Sequence, residues 1–237
     1  MEGMRYKALA VDFDDTLAMR AHVSRQALAA LHRVKDSGRR LVLVTGRQVG
    51  DLLQVFPAGS VFDRVVAENG AVLYTPETRA RQVLASPPPA AFTKRLAEKG
   101  VSPLSIGQVV VATTRTQAAA VQRTIEQMGL ELQLVNNEQA LMVLPPSVDK
   151  ASGLSKGLRQ LGITAKQTVG IGNAENDIPL LASCGLGIAV ANAVPELKRM
   201  AAHVLKAEDG EGVIFVANAL VEDDLSTLSR QAAAERG

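Results

Sequence analysis

Short apolar runs of strand length alternate with segments whose apolar residues recur at helical spacing, and this rhythm predicts repeated βα units around a mainly parallel sheet. Ala8-Leu9-Ala10-Val11 reads as the first strand. The helix that follows can be capped by Ser24, carries Leu28, Leu31 and Val34 on one face, and stops at Gly38. Leu41-Val42-Leu43-Val44 forms the second strand, with an amphipathic segment of Val49, Leu52, Leu53 and Phe56 behind it. Two further apolar runs, 64–67 and 71–74, flank Glu68-Asn69-Gly70, and an Asn-Gly pair in that setting predicts a β-hairpin.

From about Thr78 the pattern changes. Pro87-Pro88-Pro89 interrupts the chain, a short helix is expected over 91–99 and a strand over 108–112. A helix from about Thr116 places Ala118, Val121, Ile125 and Met128 on one face and ends at Gly129. Two alternating strands follow: Leu130, Leu132 and Leu134 lead to a turn at Asn136-Asn137-Glu138, and Leu141-Met142-Val143-Leu144 returns to Pro145-Pro146. The βα rhythm then resumes with a helix near 152–161, a strand over 168–171, a helix ending near Ala182, a strand over 187–190 and Pro195 at a helix start. The expected fold is therefore α/β: a doubly wound, mainly parallel sheet formed by 1–77 and 146–237, with a small α/β module inserted over 78–145. The tail from Ser226 is expected to be a frayed helix or disordered.

Composition narrows the function classes. In 237 residues, 47% are hydrophobic and 21% charged, and a net charge of +2 gives no electrostatic footprint for nucleic acid. The single cysteine, Cys184, excludes an intramolecular disulfide or a Cys-rich metal site and reads as core. His22, His32 and His203 have no metal-ligand spacing. With no signal peptide and no bilayer-length apolar run, the expectation is a cytoplasmic protein without a membrane partner. Oligomeric state is not written in these features.

The candidate chemistry begins with Asp12, Asp14 and Asp15, three carboxylates where a buried strand ends. Like charges repel at that spacing unless a cation or a shared proton offsets them. An isolated D-x-D-x-T would read as a helix cap. Here, however, four polar stretches fall at the ligand-binding edge of the predicted sheet: 12–16, 45–47, the region of Lys150, and 172–177. Gly170-Ile171-Gly172 lacks the third glycine of a dinucleotide fingerprint.

Taken in order, D-x-D-x-T, T-G-R, a lysine ahead of a helix and G-x-x-x-N-D resemble the haloacid dehalogenase superfamily of phosphohydrolases over nearly the whole chain. Ala67-Glu68-Asn69-Gly70-Ala71 and the stretch 170–177 are similar to the branch with an α/β (type IIB-like) cap. The resemblance implies a Rossmann-like core with a cap, and a Mg²⁺-dependent phosphatase that hydrolyses a small phosphorylated metabolite through an aspartyl-phosphate. By the same resemblance, Asp12 is the nucleophile and Asp14 the acid and base, with Thr45 and Lys150 on the phosphoryl group. Gly46, Arg47 and Asn176 are expected to bind substrate, and Asp12, Asp14, Asn173 and Asp177 to hold the metal. At one position the chain departs from the family, since Asn173 stands where an aspartate is usual. That departure motivates one alternative, a weakened phospho-ligand sensor; a phosphomutase with the same loops is the other.

Overall fold

The computed structural model describes residues 3–228. The chain alternates β1 (Ala8–Asp12), α1 (Arg25–Asp36), β2 (Arg40–Val44), α2 (Val49–Val55) and β3 (Arg64–Ala67), and then adds β4 (Val72–Thr75) and β5 (Ala80–Val83). Next come α3 (Ala90–Glu98), β6 (Ser105–Ile106), β7 (Val111–Thr114), α4 (Ala118–Gln127), β8 (Gln133–Asn137) and β9 (Ala140–Leu144). The remainder is α5 (Lys150–Gln160), β10 (Thr168–Gly172), α6 (Ile178–Ser183), β11 (Leu186–Ala189), α7 (Pro195–Met200), β12 (His203–Val204) and α8 (Asp209–Asp223).

Eight strands form one sheet in the order β12-β11-β10-β1-β2-β3-β4-β5, parallel from β12 to β3 and antiparallel beyond. The chain winds outward from β1 in one direction and returns through β10 in the other, so the crevice between β1 and β10 is the sheet's switch point. Burial explains why β1 and β10 are central: every residue of both is buried, which calls for apolar or small side chains on both faces up to the strand end. Helices α1 and α8 pack together, as do α5 and α6, which gives the doubly wound layering. Among the described residues, no helix is long and apolar enough to cross a membrane.

A second, four-stranded antiparallel sheet, β6-β7-β9-β8, carries α3 and α4 on one face. Strand alternation divides its residues. Leu141 and Val143 of β9 join Phe92, Leu96, Val121 and Ile125 in the small module's own core, whereas Met142 and Leu144 belong to the main core. The sheet therefore turns its helix-free face toward the larger domain.

Several elements differ from the sequence reading. Residues 80–83, assigned to the inserted module, pair with β4 at the edge of the large sheet. The strand expected from Gln108 begins at Val111, because the amides of Gln108, Val109 and Val110 bond to the Glu68 carboxylate instead of a ladder. The strand expected from Leu130 starts at Gln133, and the turn tightens at Glu138, whose φ is +51°. Helix α8 had no predicted counterpart, since Gly210 and Gly212 interrupt its start. A Cβ on Gly212 would lie 2.9 Å from Val190 Cγ1, so tight packing there favours glycine over helix propensity. Of the expected tail, residues 229–237 lie outside those described.

Candidate active site

Asp12 is the last residue of buried β1, which carries its carboxylate to the C-terminal edge of the sheet. Its parallel neighbours end at the same level, Asp12 standing opposite Val44 and Val11 opposite Ile171. Thr45 and Asn173 therefore leave the sheet on either side of it. Thr45 is fully buried, and its hydroxyl oxygen accepts from the Arg47 amide, leaving the hydroxyl proton available to a ligand.

Lys150 reaches this point from the first turn of α5. Asp149 caps that helix through the Ser152 amide, and the turn 68–70 packs against the same end. Gly70 has a φ of +108°, and a Cβ there would fall 1.9 Å from the Asp149 carbonyl oxygen, so only glycine lets the turn sit so close. The Lys150 ammonium is buried and donates to Asp12 Oδ1 and Asp177 Oδ1, each at 2.6 Å.

Asp177 also accepts from the Asn173 and Ala174 amides through Oδ2, both at 3.0 Å. Its carboxyl carbon would lie 2.5 Å from a Cβ on Gly172, which explains the glycine at the end of β10. Both Asp177 oxygens are thus engaged in orienting the lysine and the loop.

Electrostatics make the centre unusual. Burial pushes the Asp12 carboxyl up, Asp177 adds to the rise, and Lys150 only partly opposes it, leaving Asp12 at about 7. Burial pulls the Lys150 ammonium down, but the charges of Asp12 and Asp177 outweigh it and hold the lysine above its usual value. Two carboxylates facing one ammonium leave a net negative site, which a cation would stabilise.

At the outer edge of the site, Arg47 grips Asp14. Its Nε lies 3.0 and 2.9 Å from the two carboxylate oxygens and its Nη2 lies 2.7 Å from Oδ1, while the guanidinium carbon sits 5.5 Å from the Phe13 ring centroid. Asn176 is buried and donates to Asn69 Oδ1 at 3.0 Å. Asn69 Nδ2 and Asn176 Oδ1 have no partner among the described residues. The structure therefore brings Asp12, Lys150, Asp177, Thr45 and Asn173 together. Arg47 is paired with Asp14, and Asn176 with Asn69.

The inserted module covers the site. A Cβ on Gly46 would lie 3.3 Å from Met142 Sδ and 3.8 Å from Asn137 Nδ2. Gln48 donates to Ser105 Oγ at 2.9 Å. On one flank, Glu68 accepts from three consecutive amides of the module, Gln108, Val109 and Val110, at 2.9, 2.7 and 2.9 Å. In the sequence Glu68 reads as part of the turn and of the branch motif, with no partner for its side chain; the signal for one was a carboxylate inside an otherwise apolar segment. On the other flank, Arg115 donates to Glu175 Oε1 at 3.3 Å, the Glu138 amide to Glu175 Oε2 at 3.2 Å, and Asn173 Nδ2 to Glu138 Oε1 at 3.2 Å. Burial, Asp15 and Glu175 together raise the Glu138 carboxyl.

Among the described residues, no three His, Cys, Asp or Glu side chains form a metal cluster. A divalent ion at this centre would have to combine one carboxylate with neutral oxygens. Asp12 and the Asn173 amide oxygen, together with main-chain carbonyl oxygen and water, make a hard-oxygen set. Mg²⁺, which retains several waters and needs only one or two carboxylates, fits such a set and the negative charge around it.

Known proteins share this architecture. The haloacid dehalogenase-like hydrolase family matches residues 9–106 and 101–216. A phosphoglycolate phosphatase from Methanothermobacter thermautotrophicus is 30% identical over a 216-residue comparison that covers 87% of this chain and 95% of that protein. A haloacid dehalogenase-like hydrolase from B. subtilis superposes with a TM-score of 0.75 at 20% identity, covering 90% of this chain and 99% of its own. A sugar phosphatase of haloacid dehalogenase subclass IIB gives a TM-score of 0.75 at 17% identity, covering 90% and 97% respectively. The two structural likenesses concern the fold, a doubly wound sheet with an inserted cap.

Proposed function

The chain belongs to the haloacid dehalogenase-like hydrolase family, and from that premise we propose that it is a Mg²⁺-dependent phosphatase of a small phosphorylated metabolite that works through an aspartyl-phosphate at Asp12. The observation that carries this reading is Lys150 held between Asp12 and Asp177, beside the Thr45 hydroxyl, at the C-terminal edge of β1.

In this reading a carboxylate oxygen of Asp12 attacks phosphorus, and the bond to the leaving oxygen breaks. Asp14 supplies the proton that the leaving oxygen takes. A water then attacks the phosphorus of the aspartyl-phosphate, Asp14 receives its proton, and inorganic phosphate leaves with Asp12 restored. Lys150 and the Thr45 hydroxyl balance charge on the phosphoryl oxygens throughout, which is most of what phosphoryl transfer requires. Arriving phosphoryl oxygens compete with Asp14 for Arg47, and that exchange frees Asp14 to move a proton. Asp177 keeps Lys150 aimed. Asp12, the Asp14 carbonyl and Asn173 would hold the cation, which would supply positive charge against the phosphoryl oxygens.

The cap sheet and Met142 lie over Gly46 and would exclude water from the bond being broken. Short phospho-acids are the first substrates to test, because a relative covering most of this chain is a phosphoglycolate phosphatase. Assay with phosphoglycolate and with an aryl phosphate, comparing wild type and Asp12→Asn, tests the reading. Turnover should vanish in the variant while the fold persists. Undiminished turnover in Asp12→Asn would refute the mechanism.

A further inference from the structure

Asn173 is linked in two directions at once. Its Oδ1 accepts from the Thr16 hydroxyl at 3.1 Å, and its Nδ2 donates to Glu138 Oε1 of the cap at 3.2 Å. An asparagine amide rotated by half a turn keeps its shape but exchanges oxygen for nitrogen, so something must specify which end faces the site. The Thr16 hydroxyl cannot, because it can donate or accept. An ionised carboxylate only accepts, so Glu138 tolerates only the amide nitrogen.

Glu138 is itself held in place. Its amide donates to Glu175 Oε2 at 3.2 Å, and its carbonyl accepts from Arg115 Nη1 at 3.0 Å. Arg115 in turn reaches Glu175 Oε1. The turn between β8 and β9 is thereby tied to the loop after β10, with its carboxylate directed at Asn173.

We propose that Glu138 is a positioning residue for the cation site: from the cap, it orients the Asn173 amide so that Oδ1 faces Thr16 and the cation. This rests on the reading of Asn173 as a cation ligand. It has two consequences. A neutral ligand can serve at position 173 because the cap supplies the carboxylate that orients it. Cation binding and seating of the cap also become coupled, since the orienting hydrogen bond exists only with the cap down. An aspartate at position 173 would need no such help, because both ends of a carboxylate are oxygen. It would instead face Glu138 as a like charge.

The test is Mn²⁺ binding to the full chain, followed by the spin-resonance signal of free Mn²⁺, which needs no turnover. Four proteins are compared: wild type, Glu138→Gln, Asn173→Asp, and the double variant. Glu138 lies on an exposed turn, so its substitution is compatible with folding. Removing a residue that orients a metal ligand typically costs tenfold or more in affinity, so Glu138→Gln should weaken Mn²⁺ binding about tenfold in the wild-type background. In the Asn173→Asp background the same change should weaken binding far less, because there it removes only a nearby charge and orients nothing. This difference in size carries the proposal. Glu138→Gln without effect in the wild type, or with an equal loss in both backgrounds, would overturn it and leave the cation reading standing. Wild type that binds no Mn²⁺ would overturn both.

Discussion

Lys150 Nζ lies 2.6 Å from Asp12 Oδ1, joining residues separated by 138 positions in the chain. Both groups are buried, and Asp177 completes the arrangement at the same distance from the ammonium. Removing the lysine would strand two buried carboxylates. Breaking a buried pair from one side typically costs about 3–5 kcal/mol, so Lys150→Ala should lower the free energy of unfolding by roughly that amount. Urea unfolding would measure it. A midpoint equal to wild type would show that the three charges do not depend on one another.

Glu68 should matter to the cap and little to the sheet. Its carboxylate takes three consecutive amides of the segment leading into β7. Hydrogen bonds to a charged group contribute about 1.5–3 kcal/mol each, and about 1.4 kcal/mol corresponds to tenfold in an opening equilibrium. Glu68→Ala should therefore speed amide hydrogen exchange at 108–110 by at least about tenfold, while amides of β1 and β10 keep their protection. Equal acceleration in both regions would assign Glu68 to global stability.

The Arg47 to Asp14 pair makes the opposite case. It is geometrically strong, but both side chains are about one-third exposed, at 30% and 37%. Exposed ion pairs contribute about 1 kcal/mol or less, so Arg47→Ala should leave the unfolding free energy within about that margin of wild type. Nevertheless kcat/KM should fall, mainly through a higher KM, as arriving phosphoryl oxygens lose the guanidinium that would take them over from Asp14. Unchanged kcat/KM would remove Arg47 from the reaction.

Cys184 offers a check on the core. Burial raises its thiol from 9.0 to about 12, against small opposing effects of Ser183 and Lys166. The thiolate is the reactive form, and at pH 8 only about one such thiol in ten thousand would be ionised. A thiol reagent should leave Cys184 unmodified in the folded protein, with reaction appearing above about pH 11 or on unfolding. Rapid labelling of the folded chain at pH 8 would contradict the packing around Gly170, whose Cβ position lies 2.9 Å from the Cys184 sulfur.

The legibility of this chain followed its local signals. β1, β2 and β10 were readable because strands buried on both faces leave continuous apolar runs, and the αL glycine Gly38 ended α1 where expected. Helix α8 was hidden by glycines whose purpose is close packing, and β5 by four exposed residues without a strand's apolar pattern. At the site, the motif residues were legible by type but their relations were not. Nothing in the sequence says that Asp177 spends both oxygens on Lys150 and two amides. Nothing in it pairs Arg47 with Asp14, or Asn173 with Glu138. Those relations arise from tertiary approach, through which a motif loop and a cap turn meet.

The central claim is a covalent phosphoryl group on Asp12, and the most direct measurement is to trap it. Mixing the protein with a phosphate monoester it hydrolyses in the presence of Mg²⁺, quenching in acid within milliseconds and reducing with borohydride converts an acyl phosphate of aspartate to homoserine. Peptide mass spectrometry should then find homoserine at position 12 in wild type and none in Asp12→Asn. Steady hydrolysis of the same substrate with Asp12 always recovered intact would contradict the account.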